Sequence, residues 1–293
     1  MPKICYIEKK FTTASRSLIT KANEIIREYS LQGFRLTLRQ LYYQFVARDW
    51  IENSQRSYKR LGSVIGDARN AGLVDWYAIE DRTRNVRALN HWDHPSDILR
   101  ACAGQFQLDL WKGQAYRPEV WIEKDALVGV FEPICQELDV SLFSCRGYTS
   151  QSEMWTAAQR VKSNRTEDQR SVILHFGDYD PSGIDMSRDI CDRLELYSGE
   201  AVHFERLALN RDQVDRYGPP PNPAKVTDSR FANYVRIHGG ESWELDALEP
   251  AVLADLVREN VLDYRADGLW NEAVERQQAA RNRLQVLADE WED

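Results

Sequence analysis

The sequence lacks the cysteine patterns of disulfide-rich and zinc-binding domains. Its five cysteines are scattered, odd in number and without CxxC spacing, which predicts small buried side chains rather than bridges or metal ligands. No apolar run approaches the roughly 18–20 residues that a membrane-spanning helix needs. The start of the chain also lacks the long apolar segment of a secretory signal. These absences predict a cytoplasmic protein with no membrane partner.

Net positive charge is also missing, because 46 Asp and Glu outnumber 38 Lys and Arg and the net charge is −8. The distribution is uneven: residues 1–90 hold 16 Lys and Arg against 9 Asp and Glu, whereas residues 91–293 hold 22 against 37. A basic part joined to an acidic part is typical of a DNA-binding module that carries an acidic, metal-using module. Asymmetry of this size also arises in soluble proteins with no nucleic-acid partner.

Three helical patterns occupy the basic part of the chain. Apolar residues recur at helical spacing over residues 12–33, where Gly33 ends the pattern. A second helix begins at Thr37, which forms a capping-box pattern with Gln40. A third helical pattern spans residues 54–72.

Basic side chains concentrate on the third helix and on the segment after it. Residues 72–84 have the pattern of a short strand, a turn and a basic strand, and three helices followed by a hairpin are the order of a winged helix. A helix and wing that read a DNA groove carry positive charge, so the candidate DNA contacts are Arg56, Lys59, Arg60, Arg82 and Arg84. The alternative is a helical bundle with a solvated basic face.

Strand and helix patterns alternate from residue 117 onward. The strands PEVWIE, VSLFSCRG, SVILHFG and AVHFERLAL are separated by helical patterns, which predicts a mainly parallel sheet with helices on its faces. The expected fold class is α/β. The expected domains are residues 1–90, a connecting helix within 91–116 that packs the two domains together, and residues 117–293.

Acidic residues end two of these strands. Glu123 ends VWIE, and Asp178 and Asp180 follow SVILHFG, so the three carboxylates meet at one edge of the sheet if the strands are neighbours. Three hard oxygen donors suit Mg²⁺, which also removes the repulsion between close carboxylates. The alternative for the two aspartates is a solvated turn.

The stretches WIEKDAL and HFGDYDPSG resemble the Toprim domain of topoisomerases, primases and related nucleases. With RQLYY in the second helix of a predicted winged helix, the chain is similar to the A subunit of topoisomerase VI and the meiotic double-strand-break endonuclease. The resemblance covers residues from about 12 to about 210. It implies a winged helix followed by a Rossmann-like Toprim domain, with Mg²⁺ held by Glu123, Asp178 and Asp180.

In that family a winged-helix tyrosine, four positions after an arginine, attacks the DNA phosphodiester and stays joined to the 5′ end. Arg39 and Tyr43 match this spacing, which makes them candidate catalytic residues together with Glu123. Tyr42 lies on the apolar face of its helix and is expected in the core. Tyr43 is turned about 100° from it and is expected to be freer to meet DNA. The alternative is that Tyr43 is a packing residue.

The resemblance implies Mg²⁺-dependent cleavage of duplex DNA by tyrosine transesterification. It also implies a homodimer, because in the family the metal and the tyrosine belong to different subunits. ATP-driven strand passage would need a separate ATPase subunit, since the chain has no GxxxxGK[ST] loop. Two other functions stay open: a hydrolytic Toprim nuclease of the kind found in phage conflict, in which water is the nucleophile, and a non-enzymatic DNA-binding protein.

The last third of the chain carries two ambiguous features. Its acidic residues either supply a second metal site or form the solvated face of a helix, and they are Glu241, Glu244, Asp246 and Glu249. The final residues, LWNEAVERQQAARNRLQVLADEWED, predict a long polar helix that dimerises or covers the core.

Overall fold

The computed structural model describes residues 3–79, 89, 91–164 and 168–291. The helices within those ranges are α1 (Thr13–Leu31), α2 (Leu38–Ala47), α3 (Gln55–Asn70), α4 (Pro95–Gln105), α5 (Val128–Glu137), α6 (Gln151–Asn164), α7 (Pro181–Ser198), α8 (Arg211–Tyr217), α9 (Phe231–His238), α10 (Pro250–Leu262) and α11 (Asp267–Asp289). The strands are β1 (Tyr116–Ile122), β2 (Ser141–Ser144), β3 (Arg170–Phe176), β4 (His203–Ala208), β5 (Asn222–Pro223) and β6 (Glu241–Ser242).

The central element is a four-stranded sheet in the order β2-β1-β3-β4, and every neighbouring pair is parallel. In the middle of the sheet, Glu119 of β1 lies opposite Ile173 of β3, and Ile122 lies opposite Phe176. The predicted mixed α/β architecture with a parallel sheet is confirmed. The adjacency of β1 and β3 brings the residues that follow these two strands to the same edge.

Helices cover both faces of the sheet, as a parallel sheet requires. On one face, Ile122 and Phe176 pack in a cluster with Phe131 of α5 and Val257 of α10. On the other face, Trp121 belongs to a second cluster, which also includes Ile173, Met154 of α6 and Ile190 of α7. The alternation along each strand sends consecutive side chains to opposite faces.

Helices α1, α2 and α3 form a cluster of their own at the start of the chain. Its fully buried residues include Ile25, Leu41, Phe45 and Leu61. The predicted capping box of α2 is confirmed, because the Gln40 N–H donates to Thr37 Oγ1 at 3.2 Å and the Thr37 N–H donates to Gln40 Oε1 at 2.8 Å. The three predicted helices are confirmed.

The described part of the predicted wing differs from the expectation. Residues 73–79 form turns and end in a single bridge between Ile79 and Leu36, so the predicted first strand of the wing is wrong. The turns are held by α3, because Arg69 donates from Nη2 to the Trp76 carbonyl at 2.6 Å. The predicted second strand of the wing, with Arg82 and Arg84, lies outside the described residues.

The predicted connecting helix corresponds to α4, which packs along α11. Arg100 of α4 pairs with Asp289 at 3.4 Å, and just beyond α4 the Phe106 carbonyl accepts from Arg281 at 2.8 Å. These contacts are made with the end of the chain rather than between the two predicted domains. The final polar helix therefore covers α4, and the predicted domain boundaries stay predictions. Within the described ranges, no helix is both long and apolar enough to cross a membrane.

Candidate carboxylate and tyrosine site

Glu123 and Asp178 lie next to each other at the carboxyl edge of the sheet. The backbone N–H of Glu123 donates to the Phe176 carbonyl at 2.9 Å, which extends the β1–β3 ladder by one residue. The Glu123 side chain then accepts the backbone N–H of Asp178 on Oε2 at 2.8 Å. The predicted convergence of these two acidic residues at one sheet edge is therefore present in the fold.

Asp180 caps the helix that follows the turn. Its Oδ1 accepts the Gly183 N–H at 2.7 Å and the Ser182 hydroxyl at 2.9 Å, an N-cap arrangement for α7. The turn is tight, because a Cβ atom at residue 183 would overlap the carbonyl oxygen of Asp178. Glycine at position 183 thus allows the first turn of α7 to approach the backbone of Asp178.

Each of the three predicted metal ligands retains one carboxylate oxygen that accepts no hydrogen bond from the described residues: Glu123 Oε1, Asp178 Oδ2 and Asp180 Oδ2. Free carboxylate oxygens are the donors that Mg²⁺ takes, usually one or two together with water and phosphate. Within the described ranges, no group of three or more His, Cys, Asp or Glu side chains is placed to hold a metal ion together. The free oxygens therefore fit a cation that is bound through one or two carboxylates and completed by water and phosphate.

Lys124 neutralises the inner side of this carboxylate cluster. Its Nζ lies 2.9 Å from Asp178 Oδ1, 2.9 Å from Glu244 Oε2 and 3.0 Å from Asp246 Oδ1. Burial alone would lower the pKa of Lys124, but Asp246, Asp178 and Glu244 raise it well above its usual value. The ammonium group is therefore charged, and it ties the turn at Asp178 to residues 244–246.

The sequence predicted that the acidic residues at positions 241–249 form either a second metal site or the solvated face of a helix. For two of them, Glu244 and Asp246, the structure differs from these predictions. Glu244 and Asp246 do not form the solvated face of a helix, since they lie in a segment with a short strand and the 3₁₀ turn Leu245–Ala247. They also belong to no group of three acidic, histidine or cysteine side chains placed to hold a metal ion in the described ranges. The Asp246 side chain is fully buried. The cations that pair with Glu244 and Asp246 instead are the side chains of Lys124 and Arg39. In the sequence, the one sign of this pairing was a lysine directly after Glu123.

Arg39 extends the ion-pair chain to the candidate tyrosine. Its guanidinium pairs with Glu244 and, through Nε, lies 3.2 Å from Asp246 Oδ2. The same guanidinium donates to the Tyr43 hydroxyl at 3.5 Å. A continuous series of hydrogen bonds and ion pairs thus runs from the Tyr43 hydroxyl through Arg39, Asp246 and Lys124 to Asp178 within one chain.

The expected difference in exposure between the two tyrosines is wrong. Tyr43 has 3% of its surface exposed and Tyr42 has 5%. The face of α2 that carries Tyr43 is covered by the turn Leu245–Ala247, whose Ala247 joins the core of the three helices. Helical geometry alone could not show this, because the covering turn is about 200 residues away in sequence.

The Tyr43 hydroxyl nevertheless borders a small polar pocket. The pocket has a volume of about 190 Å³, and its lining includes Arg39, Tyr58, Asn222 and Glu244. Burial, followed by the charges of Asp246 and Glu244, raises the pKa of Tyr43 above its usual value, and Arg39 opposes this shift. In this arrangement Tyr43 is a neutral phenol.

Tyr42 has a structural role that its apolar neighbours did not reveal. Its hydroxyl accepts the Ser54 N–H at 2.8 Å and donates to Asn53 Oδ1 at 2.9 Å. It therefore holds the chain where α3 begins. This supports the expectation that Tyr42 belongs to the core.

The carboxylates repel each other in the absence of a cation. Burial raises the pKa of Glu123 to about 7, and the charge of Asp178 adds to the shift. Burial also raises the pKa of Asp178 to about 6, although Lys124 lowers it. Both carboxyl groups thus hold a proton to a higher pH than usual in the absence of a cation.

The raised pKa values of Glu123 and Asp178 predict that the stability of the fold depends on pH. In EDTA, the free energy of unfolding should fall as pH rises from 4.5 toward about 7, because native Glu123 keeps a proton that the unfolded chain has lost. Glu123→Gln should flatten the curve, since the amide does not titrate. Urea unfolding between about pH 5 and about pH 8 measures it. Glu137→Gln on the surface of α5 is the control, and parallel curves for wild type and Glu123→Gln would contradict the prediction.

The three described candidate DNA contacts lie together. Arg56, Lys59 and Arg60 are exposed, and their spacing places them on one face of α3. None of the three forms an ion pair with the residues that the structure describes. They therefore form an exposed basic face, which we call the α3 basic face.

The fold and the site define a class: a helical basic unit joined to a parallel α/β sheet whose edge carries carboxylates. No family model matches the chain. A search of curated proteins finds no significant match either.

Proposed function

We propose that the protein is a Mg²⁺-dependent DNA-cleaving enzyme of the winged-helix and Toprim type, in which Tyr43 is the nucleophile. The observation that carries the proposal is the hydrogen-bonded pair Glu123 and Asp178 at the ends of adjacent parallel strands. Two carboxylates with raised pKa values and free oxygens at a strand edge are suited to a divalent cation. The resemblance to the A subunit of topoisomerase VI supplies the substrate class.

Each group has a role in the proposed reaction. Glu123, Asp178 and Asp180 would hold Mg²⁺, which supplies positive charge opposite the charge that develops on the phosphate. The Tyr43 oxygen loses its proton and attacks phosphorus, the bond to the 3′ oxygen breaks, and that oxygen takes a proton. Arg39 favours the phenolate through its charge. The product is a 5′ phosphate joined to Tyr43 and a free 3′ hydroxyl.

The burial of Tyr43 sets a condition on this reaction. Tyr43 is 3% exposed and lines the small pocket beside Arg39, so DNA must displace the turn at residues 245–247 or approach through that pocket. In the proposed homodimer the tyrosine serves the carboxylates of the second subunit. Strand passage, if it occurs, belongs to a complex with a separate ATPase subunit.

The same burial favours a second candidate function. A phenol with a raised pKa and 3% exposure is a poor nucleophile, whereas a water molecule at the carboxylate edge needs no such rearrangement. The second candidate is therefore a hydrolytic DNA nuclease that uses the same carboxylates.

One experiment separates the two candidates. Wild-type protein is incubated with supercoiled plasmid and Mg²⁺, and the reaction is stopped with SDS. Tyrosine transesterification leaves protein covalently attached to 5′ DNA ends, which a denaturing gel detects before and after protease treatment. Cleavage with free 5′ ends would establish the hydrolytic nuclease, and DNA binding without cleavage would refute both.

The α3 basic face predicts how the substrate is held. Replacing Arg56, Lys59 and Arg60 together with alanine should weaken binding to all duplex sequences, because phosphate contacts carry no sequence information. The slope of log K against log salt should become shallower by about 2 to 3, because each of the three cations neutralises about one phosphate. Fluorescence anisotropy at several salt concentrations measures both quantities.

The matched control removes three exposed basic residues from the acidic part of the chain, namely Lys112, Arg276 and Arg283. That variant has the same change in net charge and should keep most of the affinity. Equal losses of affinity in the two triple variants would show that net charge, rather than the α3 basic face, governs binding.

A further inference from the structure

One arginine side chain, that of Arg206, holds the turn that carries Asp178 and Asp180 by hydrogen bonds to its backbone. Arg206 of β4 donates from Nη2 to the carbonyl oxygens of Gly177 at 3.1 Å, Asp178 at 2.6 Å and Leu209 at 3.1 Å. From Nη1 it donates to the carbonyl oxygen of Gly183 at 3.1 Å and to the Ser187 hydroxyl. Five acceptors thus converge on one guanidinium group.

These acceptors delimit the carboxylate turn. Gly177 and Asp178 begin it, and Gly183 lies within the first turn of α7. Both ends of the stretch that contains Asp178 and Asp180 are therefore fastened to one side chain. Only arginine offers several donors in a rigid planar fork, so a lysine at this position could not replace the set.

The guanidinium also lies close to Glu123. A Cβ atom placed on Gly177 would lie 3.0 Å from Glu123 Oε2 and 3.1 Å from Arg206 Nη1, which puts both groups around one point. Absence of a side chain at Gly177 allows this approach. Arg206 therefore binds the backbone of the turn, and its positive charge interacts with the carboxylates of Glu123 and Asp178.

We propose that Arg206 is a positioning residue that sets the affinity of the carboxylate turn for a divalent cation. The inference rests on the proposed function, because it assumes that Glu123, Asp178 and Asp180 take Mg²⁺. Arg206 is not a catalytic residue, since its Nη donors are occupied by the turn and by Ser187. It acts through the shape of the turn.

The substitution Arg206→Lys distinguishes the hydrogen bonds of the guanidinium from its positive charge. The lysine keeps the positive charge but loses the fork, so the turn loses most of its anchors. The probe is Mn²⁺ alone, titrated into the full-length protein at constant pH, with the free ion followed by electron paramagnetic resonance. Replacement of groups that orient metal ligands commonly costs about 10- to 100-fold in metal affinity, and a decrease of this size is expected.

Arg193→Lys is the matched control. Arg193 lies on α7 and donates to the Thr149 carbonyl at 2.8 Å, so it also braces backbone, but it does not touch the carboxylate turn. Its replacement should change Mn²⁺ affinity by less than about twofold. Circular dichroism of both variants checks that the fold is retained.

A second variant covers the case in which Arg206→Lys does not fold. Ser187→Ala removes one acceptor of the guanidinium and keeps the arginine, and it should weaken Mn²⁺ binding in the same direction by at least about twofold. Wild-type affinity in a folded Arg206→Lys, or in Ser187→Ala if the lysine variant is unfolded, overturns the inference and leaves the proposed function intact. Absence of Mn²⁺ binding by wild type overturns both.

Discussion

Asp178→Asn is expected to abolish Mg²⁺-dependent DNA cleavage while the fold is kept. The amide is isosteric, and its oxygen can still accept the Leu245 N–H that Asp178 Oδ1 accepts at 2.7 Å. What disappears is one negative charge at the candidate cation site. Loss of a group that stabilises transition-state charge costs at least about a hundredfold in rate, so nicking of supercoiled plasmid should fall below detection.

Glu123→Gln and Asp180→Asn should have the same effect for the same reason. Asparagine at position 180 remains a good N-cap for α7, and glutamine at position 123 can still accept the Asp178 N–H. In EDTA the neutral variants at positions 123 and 178 should unfold at higher temperatures than wild type above pH 7, because each removes repulsion between buried carboxylates.

Asp192→Asn is the control for these carboxylate variants. Asp192 is exposed on α7 and pairs with Arg188 at 2.6 Å. It is not one of the three carboxylates of the candidate cation site. The variant should cleave at the wild-type rate. Undiminished cleavage by Asp178→Asn, or by wild type in EDTA, would remove the metal hypothesis.

Tyr43→Phe is expected to eliminate both cleavage and covalent attachment to DNA. The substitution removes one oxygen and leaves the ring to pack against the turn Leu245–Ala247, so fold and DNA affinity should survive. Among the described residues the hydroxyl makes only the 3.5 Å hydrogen bond with Arg39, and its removal leaves no buried donor of those residues without a partner. A small change in stability with complete absence of adduct on a denaturing gel is the expected combination.

Tyr42→Phe provides the opposite combination. The Tyr42 hydroxyl holds the Ser54 N–H and Asn53 where α3 begins, and its removal should cost about 1–3 kcal/mol in the free energy of unfolding. Cleavage and the covalent adduct should persist at temperatures where the variant is folded. Cleavage by Tyr43→Phe at the wild-type rate with free 5′ ends would exclude the tyrosine mechanism and leave the hydrolytic nuclease.

Local patterns were sufficient for the first three helices and for the four strands of the central sheet. The capping box at Thr37 and Gln40 lies within four residues, and the four strands of the sheet are short apolar runs separated by helical patterns. Each such signal depends on neighbours a few residues apart, since helix and strand periods and cap hydrogen bonds are short-range. The predicted strand ends made Glu123 and Asp178 neighbours only if β1 and β3 are adjacent, and the structure supplied that adjacency.

The electrostatic surroundings of the site required the tertiary structure. Lys124 meets Glu244 and Asp246, and Arg39 meets the same two residues, across separations of more than 100 positions. No periodic pattern records such pairs. The acidic residues at positions 241–249 suggested a second metal site or the solvated face of a helix, whereas Glu244 and Asp246 pair with Lys124 and Arg39 in the folded chain.

The sequence by itself determined helices α1 to α3, the strands of the parallel sheet and the positions of Glu123 and Asp178 directly after two of those strands, because these follow from interactions within short windows. The adjacency of β1 and β3, which brings the two carboxylates together, came from the structure. Only the tertiary structure decided that Tyr43 is buried and that Arg206 fastens the carboxylate turn. The burial of Tyr43 depends on the turn Leu245–Ala247, which covers α2, and the position of Arg206 depends on β4, which pairs with β3. Such packing is selected by the free energy of the whole chain rather than by local preference.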